Sequence, residues 1–305
     1  MKVSVIICTY SLDRLDDFIA AVRSVLNQTY DPVEVVLVID GNEQVDRKVR
    51  EMFGDLNEVQ IVTNNENRGL SYSRTQGVRQ ATGEVVAFLD DDAVAEPDWI
   101  AQLVRGYEET NAIAVGGRMI PEWMATRPPH LPEEFFWLVG VDYEALREPW
   151  SEVRNTFGSN MSFRSVVFEE IGGFNEEVGL TAESQIQADE TELALRMRRA
   201  FGKGMLYQPD AVVAHKVFQY RTRVTWLCRR AFWQGYSKRT LETNRVAIET
   251  TDEQEFLSHL VTESIPRRLQ ELSRQPSSEG VQQLVMLSVL TACVGLGYLF
   301  GIIRS

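Results

Sequence analysis

The chain has 305 residues, with 44 Asp+Glu against 31 Lys+Arg and a formal net charge of -13, and is long enough to bury a full core. This acidity argues against a protein that coats nucleic acid, because phosphate binding needs a clustered basic surface; no nucleic-acid partner is expected. Only five of the cations are Lys and 26 are Arg, a balance expected of a protein working in concentrated salt, with a mildly acidic mesophile enzyme as the alternative.

The first hundred residues alternate two periods. VSVIICTY (3–10) is a continuous apolar run, as in a strand buried on both faces, and Met1-Lys2 runs into it with no signal-peptide pattern. From Leu15 to Gln28, Phe18, Ile19, Val22, Val25 and Leu26 share one helical face. VEVVLVID (33–40) predicts a second strand, 44–53 a short helix, VQIVTN (59–64) a third strand, Leu70–Ala81 a helix and EVVAFLD (84–90) a fourth strand. Such repetition builds an α/β fold whose mostly parallel sheet is flanked by helices, with ligands at the strands' carboxyl ends.

Beyond Trp99 the pattern loosens. IAVGG (113–117) and AVVAH (211–215) read as strands, and Ser165–Ile171, Thr191–Ala200 and 222–240 as helices. The Pro- and Trp-rich stretch 121–150 reads as an irregular insertion, a lid or an acceptor loop. Residues 252–274 are amphipathic, and 276–280 (PSSEG) read as a linker. Cys8, Cys228 and Cys293 form no CxxC pair, so a reducing compartment is the default.

From Leu284 to Ile303 no residue is charged, and that length can span a bilayer's hydrocarbon as a single transmembrane helix; a buried C-terminal helix would show a polar stripe that is weak here. Arg267, Arg268 and Arg274 precede the stretch and only Arg304 follows it, so the positive-inside rule leaves the main domain on the cytoplasmic face of the cell membrane. The expected organisation is a catalytic domain over 1–220, a helical membrane-proximal region over 221–283 and a membrane-anchoring helix over 284–303.

The chemistry concentrates in Asp90-Asp91-Asp92, directly after the strand VVAFL. Three adjacent carboxylates repel one another unless a cation neutralises them, and hard oxygen ligands suit Mg²⁺ or Mn²⁺ bridged to substrate phosphates. A helix N-cap with acidic first-turn residues accounts for only one of the three. Asp40 ends the second strand before Gly41-Asn42 and could bond a base or ribose, or merely initiate a turn. No GxGxxG and no GxxxxGK[ST] is present, which removes the main support for dinucleotide and P-loop readings.

SVIICTYSLDR, EVVLVIDGN, NRGLSYSRTQGVRQATGEVVAFLDDDAVAEPDWI, FGSNMSFRSVVFEEIGGFNEE and ADETELALRMR together resemble the inverting family 2 glycosyltransferases with the GT-A fold, in that family's motif order over about residues 2–216. The resemblance implies a nucleoside-diphosphate sugar donor, a divalent metal and single-displacement transfer to an acceptor hydroxyl. By position it implies that Thr9, Tyr10 and Asp40 hold the base, that Asp90 lies on the ribose side, and that Asp92 ligates the metal, with Asp91 between them among the nucleotide-sugar-binding residues. Arg68 and Arg74 would lie beside the donor, and Gly158, Ser159 and Asn160 in the loop against the transferred sugar. Inversion needs a carboxylate that takes the acceptor's proton. The family's Glu-Asp pair is reversed here as Asp189-Glu190, so position favours Glu190 and residue type Asp189; acids in a helix's first turn are the bland alternative.

His215 is implied as a further metal or diphosphate contact, against a purely structural histidine. Arg229 or Arg230 would steady the departing diphosphate, or face lipid phosphates from an interfacial helix. The Gln-x-x-Arg-Trp signature of processive synthases is absent. MKVSVIICTYSLDR and VFQYRTRVTWLCRRAFWQGYSK most resemble haloarchaeal members that move glucuronic acid from UDP-glucuronic acid to a dolichyl-phosphate-linked saccharide, in building the N-linked glycan of S-layer glycoprotein. The alternatives are a polyprenyl- or dolichyl-phosphate monoglycosyl synthase, or a transferase of another hexose in cell-surface polysaccharide synthesis. A uronate donor would call for a bidentate Arg, with Arg118, Arg154 and Arg164 as candidates.

Overall fold

Strands and helices alternate through the first hundred residues as the periodicities require. In the computed structural model these are β1 (Val3–Thr9), α1 (Leu15–Leu26), β2 (Val33–Asp40), α2 (Glu43–Phe53), β3 (Val59–Asn64), α3 (Leu70–Gln80) and β4 (Val85–Asp90). The structure describes residues 1–143, 148–179, 185–243 and 251–304. Two units divide the chain, Met1–Ile120 with Glu148–His215, and Pro121–Arg147 with Lys216–Ser305.

The framework is completed by β5 (Ala93–Ala95), α4 (Trp99–Glu109), β6 (Ala114–Trp123), β7 (Glu152–Val153), β8 (Met161–Arg164), α5 (Ser165–Ile171), α6 (Asp189–Phe201) and β9 (Met205–Val217), all in the first unit except the last residues of β6 and β9. The sheet order is β3-β2-β1-β4-β8-β6-β9-β5, with β7 also on β9. Its first four strands are parallel, and β8 turns the pairing antiparallel beside β4. Alternation along the strands then splits the core between two faces. Val3, Val5 and Ile7 pack with Phe18, Val22 and Val25 of α1 and with α2 and α4, each such side chain contributing about 1.5–3 kcal/mol on burial. Ile6, Val36 and Val38 face the other way, toward an edge-on aromatic cluster in which Phe88 meets Phe163, Phe168 and Phe174 at 6.2, 6.0 and 5.2 Å.

Three short strands, β5, β7 and β8, escape the sequence reading because two to four residues are too few to display a period. β6 and β9 run longer than IAVGG and AVVAH suggest.

The second unit corrects the reading of 121–150 as an irregular insertion. A 3₁₀ helix, Glu133–Val139, buries Phe135, Leu138 and Val139 in a core with Leu131, Leu227, Leu260 and Leu287; residues 144–147 lie outside the described part. Around this core run α7 (Val224–Thr243), α8 (Thr251–His259), a π turn (Leu260–Ser264), α9 (Ile265–Arg274) and α10 (Ser278–Arg304). The expected linker is shorter than 276–280, because Ser278 to Gly280 already belong to α10. Glu134 is fully buried and accepts two bonds from Arg268, Nε at 3.0 Å and Nη2 at 2.6 Å. That pair ties the insertion to α9, and Arg268 Nη1 also donates to Gln283 of α10 at 2.6 Å.

Candidate active site

The four parallel strands end along one edge of the sheet, and each leaves a polar side chain there: Thr9, Asp40, Asn64 and Asp90. Strand ends of a parallel sheet are where such folds bind ligands.

Asp40 is 5% exposed. One carboxylate oxygen accepts from Asn64 Nδ2 at 2.8 Å and the Arg68 amide at 3.0 Å, the other from the Gly69 amide at 2.8 Å. These bonds fix the loop into α3, where Gly69 takes φ +89°, a conformation that favours glycine. Asn64 Nδ2 also donates to Ser73 Oγ at 3.0 Å. Asp40 therefore organises the edge of the site, a use that its place before Gly41 did not reveal.

Ser71 and Arg74 lie one turn apart on α3 and point to the same place. Gly77, a further turn on, lets α3 approach β1 closely, since a Cβ there would lie 2.6 Å from Ile6 Cγ2. The Arg74 side chain is 2% exposed and meets three carboxylates: Asp90 at 2.9 Å, Glu190 at 3.2 Å and Asp189 at 3.6 Å. A cation so enclosed is stable only because those acids surround it.

The two acids at the start of α6 differ in environment. Asp189 is buried, accepting from Ser71 Oγ at 2.8 Å. The Glu190 side chain is 27% exposed, and burial with the neighbouring Asp189 charge pushes its carboxyl up to about 7, against the pull of Arg74. A carboxylate that titrates near neutrality and reaches solvent suits proton abstraction.

The Asp triplet divides among partners. Asp90 faces Arg74, while Asp91 accepts from Thr9 Oγ1 at 3.0 Å. Burial and then the Asp92 charge push the Asp91 carboxyl up to about 7. Asp92, 4% exposed, accepts from Arg14 Nη1 at 2.6 Å and lies 3.3 Å from His215 Nε2. The pairing of β5 with β9 sets Ala93 opposite His215, which is why the residue before Ala93 meets that imidazole. Nothing in the sequence around Arg14 points to this contact; the 3₁₀ turn Leu12–Arg14 brings it to the triplet.

An oxygen and a nitrogen donor side by side fit a divalent ion held by two protein ligands. Among the described residues no group of three His, Cys, Asp or Glu could hold a metal, so the remaining positions would fall to phosphate oxygens and water, as suits Mg²⁺ or Mn²⁺.

The loop 156–160 closes the site beneath Arg74. Ser159 Oγ accepts from the Asp90 amide at 3.1 Å. Gly158 is required by space, since a Cβ there would lie 2.2 Å from Glu190 Oε1 and 2.3 Å from Arg74 Nη2. Gly158→Ala should force that pair apart, lowering stability by about 1–3 kcal/mol and kcat by roughly 10- to 100-fold; thermal melting and initial rates check both. Asn160, expected against the sugar, is fully buried. Its Oδ1 accepts from Trp99 Nε1 at 2.8 Å, and its Nδ2 donates to the carbonyls of Arg118 and Ala211 at 3.0 and 2.9 Å. That side chain is committed to the scaffold.

Other expected residues lie more peripherally. Tyr10 is 58% exposed. Arg68 stacks on Tyr72 at 4.4 Å and pairs with Glu176 at 3.3 Å. Arg164 sits opposite Val85, at the far end of β4 from Asp90, and donates to Ala112 O at 2.9 Å, which removes it as a sugar contact. Arg154 Nε donates to Asn155 Oδ1 at 3.4 Å, and Thr191 of α6 donates to the same oxygen at 3.4 Å. Arg229 and Arg230 lie on α7, in the second unit.

Residues 4–172 match the family described as Glycosyl transferase family 2. The chain is 46% identical over 304 residues to the glucosyl-dolichyl phosphate glucuronosyltransferase of Haloferax volcanii, covering 99% of this chain and 97% of that one. Among solved structures it resembles the mannosyltransferase PcManGT from Pyrobaculum calidifontis, solved with GDP-Man and Mn²⁺, with a TM-score of 0.60 at 19% identity over 98% of this chain and 87% of that one. Staphylococcus aureus TarS 1-349 with UDP-GlcNAc gives 0.55 at 16% identity, covering 96% and 82%. Both likenesses bear on the GT-A fold.

Proposed function

The chain belongs to glycosyl transferase family 2 and is a glycosyltransferase, and from that premise we propose that it moves glucuronic acid from UDP to a dolichyl-phosphate-linked saccharide with inversion. The observation that carries this reading is the near full-length likeness to the Haloferax volcanii enzyme, which spans both units. The acidic, Lys-poor composition supports a salt-rich cytoplasm as the working medium; the process we propose it serves is N-glycan assembly for a surface-layer glycoprotein. A membrane-held acceptor is consistent with α10, which is long and apolar enough to cross a membrane, and the catalytic unit would face the cytoplasm.

The acceptor hydroxyl attacks the anomeric carbon on the face opposite the diphosphate. Its proton passes to the Glu190 carboxylate, the bond from the anomeric carbon to the diphosphate oxygen breaks, and the electron pair leaves with UDP. Asp189, held by Ser71 and Arg74, positions α6 so that Glu190 faces the site. Arg74 holds the Glu190 and Asp90 carboxylates in place. Thr9, Tyr10 and the loop organised by Asp40 border the nucleotide, and Arg118 or Arg154 would meet a uronate carboxylate. Asp92 and His215 would hold Mn²⁺ or Mg²⁺, which when bound offsets the charge that develops on the diphosphate.

A donor panel on short glucosyl-dolichyl phosphate acceptors, in molar salt with Mn²⁺ or Mg²⁺, tests the assignment. Transfer from UDP-glucuronic acid is the expected result. An inert UDP-glucuronic acid beside an active second donor would overturn the sugar; transfer to dolichyl phosphate itself would favour the monoglycosyl synthase reading. His215→Gln should raise the Mn²⁺ concentration for half-maximal rate by about 10–100-fold, measured by metal titration of activity.

A further inference from the structure

In the second unit the apolar C-terminal helix is bound along its length by a charged one. A Cβ on Gly235 of α7 would lie 1.9 Å from Val294 O, and one on Gly297 of α10 only 1.8 Å from Phe232 O, so the two backbones touch. Further along, a Cβ on Gly301 would lie 2.8 Å from Arg239 Cγ. Tyr298 Oη donates to Glu242 at 2.7 Å, and Glu242 pairs with Arg239 at 3.0 Å. Partner numbers rise together, Phe232 with Gly297 and Arg239 with Gly301, so the helices run parallel. Near the midpoint of the uncharged stretch the Cys293 thiol meets Cys228, the residue immediately before Arg229 and Arg230.

A spanning α10 would carry α7 with it. Arg229, Arg230, Lys238, Arg239 and Glu242 would then enter the hydrocarbon together, where each charged side chain is costly. The opposite side of α10 has a different character. Val285, Val289, Leu296, Leu299 and Ile303 are exposed, the last by 82%, and their spacing draws one apolar stripe along the helix. Arg304 follows the stripe at its end.

We infer that the chain is monotopic: α10 lies in the plane of the membrane surface, its stripe in the acyl region, and α7 stays on the aqueous side. The partner is a phospholipid bilayer, and Arg304 suits anionic headgroups at the helix end. Both chain termini then remain on one side. This reading rests on the second unit and does not depend on which sugar is transferred.

Full-length protein with one epitope tag before Met1 and another after Ser305, in sealed inverted membrane vesicles, distinguishes the topologies. Externally added protease should remove both tags without detergent. A C-terminal tag protected until detergent is added would establish a crossing helix and overturn the proposal. In a second measurement Val289→Asp/Leu296→Asp should shift the protein from the membrane pellet to the supernatant, even in molar salt, with its melting temperature within a few degrees of the parent chain. Unchanged pelleting of the folded double variant, or wild-type protein found in the supernatant, would also overturn it. Failure of UDP-glucuronic acid as donor leaves each of these readouts intact.

Discussion

Replacing Glu190 with Gln should lower kcat by roughly 10³-fold with the donor KM little changed, because the amide cannot take a proton yet can still accept from Arg74. The wild-type enzyme should show kcat/KM rising with pH and levelling above about 7, where the carboxyl of the free enzyme ionises. In Glu190→Gln that rise should disappear from the residual rate. Asp189→Asn is the control: it disturbs the buried bond from Ser71 and should cost stability while keeping the pH-dependent rise. The opposite pattern, a lost rise in Asp189→Asn and a retained one in Glu190→Gln, would make Asp189 the base. Stability carries a second signature. Between the ordinary carboxyl value of 4.5 and about 7 the folded chain holds a proton at Glu190 that the unfolded chain has released, so folding stability falls as pH rises through that window. Denaturant melts of Glu190→Gln across it should show a smaller slope.

The acids of this site were legible because they are contiguous in sequence and sit at a strand end or a helix start. The long parallel strands were legible for a similar reason, a sustained apolar run between turn residues. Arg14 was not, since its place at the triplet depends on a 3₁₀ turn that one capping serine produces. The loop-organising bonds of Asp40 were not legible either, because the Arg68 and Gly69 amides that donate to it lie 28 and 29 residues away. The burial of Asn160 was not legible, because a sequence carries no burial: its neighbours Gly158 and Ser159 reach Arg74, Glu190 and Asp90, while its own amide turns into the sheet. The apolar stretch 284–303 declared its length, but only the glycine contacts with α7 reveal what a crossing would drag along.

Arg74 carries the largest structural consequence. Its side chain joins α3 to β4 and α6 through three acids that no sequence pattern brings together. Arg74→Met keeps much of the volume but leaves Asp90, Asp189 and Glu190 facing one another without a cation. Breaking a buried ion pair from one side typically costs about 3–5 kcal/mol, which for a domain of this size lowers Tm by on the order of 10 °C. Since the lost interaction is with carboxylates, the deficit should shrink as pH falls and the acids protonate. The kinetic consequence runs through Glu190, already pushed up to about 7 with Arg74 in place. Without the guanidinium the remaining influences, burial, Asp189 and Asp90, act unopposed, so the midpoint of the kcat/KM profile should move to higher pH. A variant that merely loosened the fold would lose Tm without that displacement. Arg74→Lys separates the two effects: it restores a charge but not the planar fork that reaches Asp90 and Glu190 at once. Its pH midpoint should fall back toward the wild-type value while Tm recovers only in part. Paired melting curves and pH–rate profiles for the two variants read both consequences, and an Arg74→Met profile superimposable on the wild type would separate the Arg74 cluster from the proton transfer assigned to Glu190.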